Sequence, residues 1–344
     1  MEHIAIDLGS RESQICVRSA DGTILEEKRW ATSQLRSYLE KRPASRVIVE
    51  TCAEAFRVAD AARELGHDPR VVPATLAPAL GVGERRTKTD TRDARKLSEV
   101  STRVELESVH IPSETSRVRK SESGAREGMV SSRTRHINLV RGWMRGQGIR
   151  IRSGQAETFT GRVTQAVAQP PLHIELTLQV IDTLSKHIET LEKHLTQQAK
   201  ADPVCRRLMT VPGVGPVVAI RFTAALDDIG RFDSAHKVEA YLGLTPGEHS
   251  SSEKKQRTAI TKAGSPRLRW ALVQGAWAAC RSRGVHPMVD WSREVEKRRG
   301  KRVAALALAR KLAGILYAIW RDGTVYNPRQ AARAIERTPT VAAV

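Results

Sequence analysis

Four carboxylates in this chain have the types and spacing for shared chemistry. Asp7 lies inside the apolar run Ile4-Ala5-Ile6-Asp7-Leu8-Gly9, and Glu50 closes a second run, Arg46-Val47-Ile48-Val49-Glu50. Asp90 and Asp93 stand one turn apart in Thr89-Asp90-Thr91-Arg92-Asp93-Ala94-Arg95-Lys96-Leu97. A carboxylate on a buried strand is costly unless it is paired or binds a cation. Four of them brought together do not all stay ionised without one. Such an oxygen cluster suits a hard divalent cation, Mg2+, able to activate a nucleophile and stabilise a leaving oxygen in phosphoryl transfer. The plainer reading makes Asp90 and Asp93 favourable charges at a helix start and Glu50 a solvated strand end.

A second group follows in Pro246-Gly247-Glu248-His249-Ser250-Ser251-Ser252-Glu253-Lys254-Lys255-Gln256-Arg257. Three serines beside a histidine and a basic run offer a nucleophile and cations to hold a phosphodiester. Taken alone they are equally solvated residues of a polar loop, with His249 a surface histidine. Lys262, Arg267 and Arg269 continue the positive face and suit phosphate contacts. In Pro212-Gly213-Val214-Gly215, the glycines Gly213 and Gly215 resemble a helix-hairpin-helix turn, whose backbone N–H groups grip a phosphate. A plain helix corner gives the same pattern.

The elements that must position these residues can be read in order. Ile4–Gly9, Ile15–Val17 and Thr23–Leu25 predict a three-strand meander, with a turn at Asp21-Gly22. Then come a helix over 33–41, a strand over 46–50 and an alanine-rich helix over about 53–65 ending at Gly66. A strand over 70–73 and, past the basic loop 81–88, a helix with acids in its first turn complete the series. That order suits a mixed sheet with helices on its faces, of the ribonuclease-H-like kind, in which the first and fourth strands are neighbours. Residues 112–124 read as a polar connector, 125–146 as a strongly basic helix and 155–169 as weakly patterned. Ile174, Ile181, Leu184, Ile188, Leu191 and Leu195 fit a coiled coil, a long helical hairpin or one amphipathic helix. Beyond 201 the chain reads as helical, with a polar basic loop over 243–263, helices over 266–281 and 302–321, and a loose tail after Asn327. A DxG strand before a hairpin also opens sugar kinases and actin-like ATPases, but no second such strand is found.

A net charge of +19 on 344 residues and a pI near 10.4 call for a polyanionic partner. Nucleic acid fits better than an anionic membrane. The most apolar window, 303–320, is interrupted by Arg310 and Lys311 and reads as a buried helix. The N-terminus enters directly into a strand, so no signal peptide is expected, and the isolated cysteines lead to the expectation of a reducing, cytoplasmic location. Cys16, Cys52, Cys205 and Cys280 form no CxxC pair and read as core thiols, without disulfide or zinc.

Taken in order, IAIDLGS, VIVET, KTDTRDARKL, LMTVPGVGP, YLGLTPGEHSSSEKKQR, ITKAGSPRLRWAL and RKLAGILYAIW resemble the insertion-sequence one-hundred-and-ten family of transposases, over residues 3–325. The resemblance implies a RuvC-like DEDD domain with a basic helical extension (1–155), a linker and coiled coil (156–200), a serine transposase domain (201–330) and a loose tail (331–344). It implies Mg2+ held by Asp7, Glu50, Asp90 and Asp93, and a serine that attacks DNA to form a phosphoserine linkage. In the family that serine stands five residues after the GLxP proline. Counting from Pro246 gives Ser251, with Ser252 where glycine is usual, so Ser250 and Ser252 remain alternatives. Lys254, Lys255, Arg257, Lys262 and Arg267 would hold nucleic acid. The resemblance further implies donor and target DNA, a guide (bridge) RNA encoded by the element, and dimers that pair into tetramers, with acids and serine shared between subunits. Two other readings are a RuvC-like Mg2+-dependent endonuclease whose serine loop only binds phosphate, and a non-catalytic nucleic-acid-binding protein.

Overall fold

The computed structural model describes residues 1–76, 90–251, 254–284 and 286–329, and only the backbone of 90, 249–251 and 254–257. The expected loop 81–88 and the tail beyond 329 lie outside the described residues. The chain divides into two compact units, Met1–Pro112 and Ser113–Val344.

The first unit is built on five strands: β1 (His3–Asp7), β2 (Glu12–Arg18), β3 (Ile24–Ala31), β4 (Arg46–Glu50) and β5 (Asp68–Val72). Their spatial order is β3-β2-β1-β4-β5, antiparallel from β1 through β3 and parallel from β1 through β5. The expected neighbours, first and fourth strand, do pair, with His3 opposite Arg46 and Ile6 opposite Val49. The mixed sheet agrees with a RuvC-like, ribonuclease-H-like fold.

Both faces of the sheet are covered because the central strands are apolar at successive positions, which alternate between faces. Ile4, Ile6, Val47 and Val49 pack against α1 (Leu35–Leu39) and α2 (Ala55–Glu64). Ala5, Ile48 and Val72 take the opposite face, against Leu97 of α3 (Asp90–Arg103). Gly66, at φ +82°, ends α2 as its position in the sequence predicts.

The second unit opens with α4 (Glu114–Gly146), α5 (Phe159–Ala166) and α6 (Leu172–Ala201). The stretch expected as a polar connector is therefore helical from Glu114 onward. Ser113 caps α4 by accepting from the Ser116 N–H. The Ser113 and Ser116 hydroxyls both donate to Asp227 at 2.5 Å. This half of α4 buries Ser116 and Ser123, not a stripe of leucines, so hydrophobic periodicity passes it over. The α4 and α6 helices run antiparallel, as Glu122 bonds Gln198, Arg133 bonds Ser185 and Met144 shares a core with Ile174. Of the heptad-spaced residues, Ile174, Ile181, Ile188 and Leu195 are buried within the chain, so the helical-hairpin alternative describes this segment.

The rest comprises α7 (Pro203–Leu208), α8 (Pro216–Leu226), α9 (Ala235–Tyr241), β6 (Pro246–Ser251), β7 (Lys254–Ile260), α10 (Pro266–Arg281), α11 (Pro287–Arg299) and α12 (Lys301–Asp322). Two expectations are corrected. The polar region 243–263 is a β-hairpin, and α11 is a helix that charged composition hid, since it buries only Met288, Val289 and Ser292. By length and composition α12 alone among the described helices could cross a membrane. Its Leu308, Leu312, Leu316 and Tyr317 lie instead in the largest core, and the Tyr317 hydroxyl donates to the Phe232 carbonyl at 2.8 Å. Cys16 and Cys205 are buried, Cys280 is half-buried and Cys52 is exposed, so Cys52 is not the core thiol expected.

Candidate active site

The acids gather at one end of the sheet. In the β1–β4 register, Asp7 and Glu50 are the residues that follow the Ile6–Val49 pair, at the carboxyl ends of neighbouring parallel strands. Period-two alternation puts Asp7 on the face of Ala5 and Glu50 on that of Ile48, the face that α3 covers. Both carboxylates are half-buried.

Two polar anchors set how α3 lies across that face. The His3 ring bonds the Ser101 hydroxyl at 2.7 Å at the start of β1. Farther along, Ser98 donates to the Cys16 thiol at 3.2 Å, and Cys16 pairs with Ala5. The helix therefore runs antiparallel to β1. From His3 to Asp7 the strand advances about 13 Å, and from Ser101 back to Asp93 the helix advances about 12 Å. Asp93, buried at 6 % exposure, thus comes level with Asp7. Asp90 opens α3 one turn earlier, and its side chain lies outside the described residues.

Three further side chains shape this end, and sequence reading missed them. Gln14 is buried and stands directly across from Asp7 in β2. Its signal was a polar residue at an inward position of an apolar strand. Arg95 of α3 forms a two-pronged ion pair with Glu27 of β3, one contact at 2.6 Å. The hydrogen bonds from Arg95 hold the Glu27 carboxyl below its ordinary range. Burial pushes the Cys16 thiol up, so this sulfur stays protonated and serves packing. Gly9 is dictated by its turn: a Cβ there would meet the Glu12 carbonyl oxygen at 2.2 Å. The DxG pattern thus needs no phosphate to account for its glycine.

Among the described residues no three His, Cys, Asp or Glu side chains already stand together as a metal cluster. Mg2+ rarely uses an all-protein cage; it takes one or two carboxylates and completes its shell with water and substrate phosphates. Asp7, Glu50 and Asp93 offer oxygen donors only. That donor set fits a hard divalent cation.

The serine segment is built differently. In the β6–β7 register Ser251 pairs with Lys254, Ser250 with Lys255, His249 with Gln256 and Glu248 with Arg257. Ser251 is thus the last paired residue before the tip. Ser252 lies outside the described residues, as do the side chains of Ser250, Ser251, Lys254, Lys255 and Arg257. The base of the hairpin is clasped tightly. Thr261 N–H donates to Thr245 at 2.9 Å, and Lys262 N–H to Gly243 at 3.2 Å. Arg269 donates to the carbonyls of Gly264 (2.5 Å) and Leu242 (3.2 Å). A Cβ on Gly264 would sit 2.1 Å from the Tyr241 carbonyl oxygen, and Gly243 has φ +66° with Ala263 N only 2.4 Å from its absent Cβ. Arg269 counted among phosphate contacts in the sequence; here it fastens the base.

The other expected phosphate ligands are mixed. Lys262 is exposed, in a left-handed conformation at φ +58°. Arg267 is exposed and lies 3.6 Å from Glu127. Gly213, at φ +83°, packs on α10: its Cβ would meet the Gly275 carbonyl oxygen at 2.1 Å. Gly215 precedes α8 with open space around it.

Known proteins match this chain in two blocks. Residues 205–290 match the family described as transposase IS116/IS110/IS902 family, and residues 4–147 match the DEDD model of the same group, described as transposase. A probable family 20 transposase of Pseudomonas aeruginosa is 29% identical over 95% of this chain and 99% of its own length. A putative transposase of Sinorhizobium fredii is 30% identical over 76% of this chain and 71% of its own. The transposase for insertion sequence element IS1328 of Yersinia enterocolitica is 27% identical over 94% and 98%.

Proposed function

Since the chain belongs to the IS116/IS110/IS902 family of transposases and so acts as an insertion-sequence transposase, we propose that it cuts and rejoins DNA through a serine–DNA link. Asp7, Glu50, Asp90 and Asp93 hold a divalent cation, Mg2+. When bound, that cation supplies positive charge to the scissile phosphate and its leaving oxygen.

The chain's own residues do the rest. The Ser251 Oγ attacks phosphorus, the bond to the departing sugar oxygen breaks, and the serine proton ends on that oxygen as a free hydroxyl. Rejoining is the reverse: a hydroxyl attacks the phosphoserine, and the serine recovers its proton. Lys254 is paired with Ser251 in the backbone register, and a lysine is a residue type suited to holding the phosphate under attack. Lys255, Arg257, Lys262 and Arg267, with the turn at Gly213 and Gly215, hold the DNA backbone.

A guide RNA that pairs with donor and target DNA accounts for an excess of 19 positive charges alongside only 4% aromatic residues. Such a protein neutralises backbones while base pairing reads sequence. Dimers or tetramers complete the proposal.

What supports the metal half is the end of the sheet where Asp7 and Glu50 finish neighbouring parallel strands, with Asp93 of α3 level with Asp7. Joining of donor and target DNA, with guide RNA and Mg2+, tests it. Asp7→Asn lowers the rate by ~10²–10³-fold, the scale of removing one preorganised charge-stabilising group. Wild-type rates in that variant would refute the metal assignment.

A further inference from the structure

The α11–α12 corner carries the densest positive charge outside the hairpin. Between 293 and 302 run Arg-Glu-Val-Glu-Lys-Arg-Arg-Gly-Lys-Arg, six cations against two carboxylates. Lys297, Arg298, Arg299, Lys301 and Arg302 are all exposed. Gly300, at φ +81°, turns the chain between the helices, so the five cations crowd around one bend.

The two carboxylates leave most of this charge standing. Glu294 pairs with Lys297 at 2.7 Å. Arg298 bonds only the Glu294 backbone carbonyl, at 3.4 Å, and makes no ion pair with a described residue. Lys301 and Arg302 have no hydrogen-bonded or ion-pair partner among the described residues.

Helix electrostatics explains half of the pattern. Lys297, Arg298 and Arg299 fill the last turn of α11, where cations are favoured. Lys301 and Arg302 fill the first turn of α12, where the same field disfavours them. Their placement is unfavourable inside the chain and favourable against an external anion.

The anion's form can be narrowed. Proteins that grip single strands or splayed RNA loops stack bases on aromatic rings. None stands between 292 and 302, and the neighbouring Trp291 is covered by Lys311, whose Nζ lies 4.9 Å from the ring centre. A bend of cations without stacking platforms suits a regular duplex contacted through phosphates alone.

We infer that the α11–α12 corner is a docking surface for the phosphate backbone of duplex DNA, with Arg298, Lys301 and Arg302 as its main contacts. This rests on the reading of the chain as a DNA transposase.

The experiment measures binding of the full chain to labelled duplex DNA and to a hairpin RNA of equal length over a salt series. It compares wild type with Arg298→Gln/Lys301→Gln/Arg302→Gln and with the single Lys301→Glu. Each lost phosphate contact flattens the slope of log affinity against log salt by about 0.9. The triple variant therefore flattens the duplex slope by about 2 to 3 and weakens duplex binding ~10-fold or more near physiological salt, with RNA affinity within about threefold. Lys301→Glu alone shifts the duplex in the same direction. All three replaced side chains are exposed, and unchanged circular dichroism checks the fold. An unchanged duplex slope in both variants overturns the docking surface, and an equal loss on RNA overturns its assignment to DNA. Wild-type protein that fails to bind duplex DNA at all overturns the underlying transposase reading as well.

Discussion

Asp7 and Glu50 end strands whose interiors are sealed: Ile4, Ala5, Ile6 and Ile48 are fully buried, and Val47 and Val49 nearly so. Ser251 ends a strand in a ribbon where Pro246, Glu248, Thr258 and Ala259 are exposed and Gly247 and Ile260 are half-buried. The acids inherit their positions from two packed cores and a pair of side-chain anchors on α3. The serine hairpin is two-stranded, a form of marginal stability by itself, and is fastened at its base by Arg269, Gly243 and Gly264. One region is preorganised by burial, the other by a clasp.

The contrast can be broken most sharply at the nucleophile. Ser251→Ala removes joining and covalent protein–DNA adducts to background, a loss beyond ~10³-fold, while duplex binding stays at wild-type strength. Adducts that persist there but vanish in Ser250→Ala or Ser252→Ala would move the role along the hairpin. On the acid side, Asp93→Asn slows joining by about 10²-fold without lowering the thermal midpoint by more than a few degrees.

The clasp responds in the opposite sense. Gly264→Val forces a side chain against the Tyr241 carbonyl and destabilises the second unit by about 1–3 kcal/mol, visible as a lowered unfolding midpoint. A midpoint equal to wild type would show that the base is not tight.

The smallest effect concerns pH. Glu27, held low by its hydrogen bonds to Arg95, contributes stability above its unfolded pKa and loses it as pH falls through the depressed folded value. Glu27→Gln therefore lowers the midpoint at neutral pH and flattens its decline below about pH 4.5. Parallel midpoint curves for variant and wild type would remove this tether from the account.

Much of the acid end was legible in the sequence because apolar strands announce themselves. Runs such as Arg46–Glu50 and the turn at Gly66 fix strand, helix and order, and the pairing of first and fourth strands follows from that order. Gln14 and the Glu27–Arg95 pair were not legible, since their partners come from other strands and helices. The hairpin at 246–260 was hidden because its strands carry lysine and serine instead of alternating apolar residues. The first turns of α4, where buried serines replace leucines, escaped for a related reason, as did the charged α11.

The central claim is a covalent link to Ser251. A reaction with donor DNA, target DNA and guide RNA, quenched in denaturant and digested with protease and nuclease, can be mapped by mass spectrometry. A nucleotide remnant is expected on the peptide spanning 250–252, with fragmentation placing it on Ser251. Cut DNA with hydrolysed ends and no nucleotide on any peptide would contradict it.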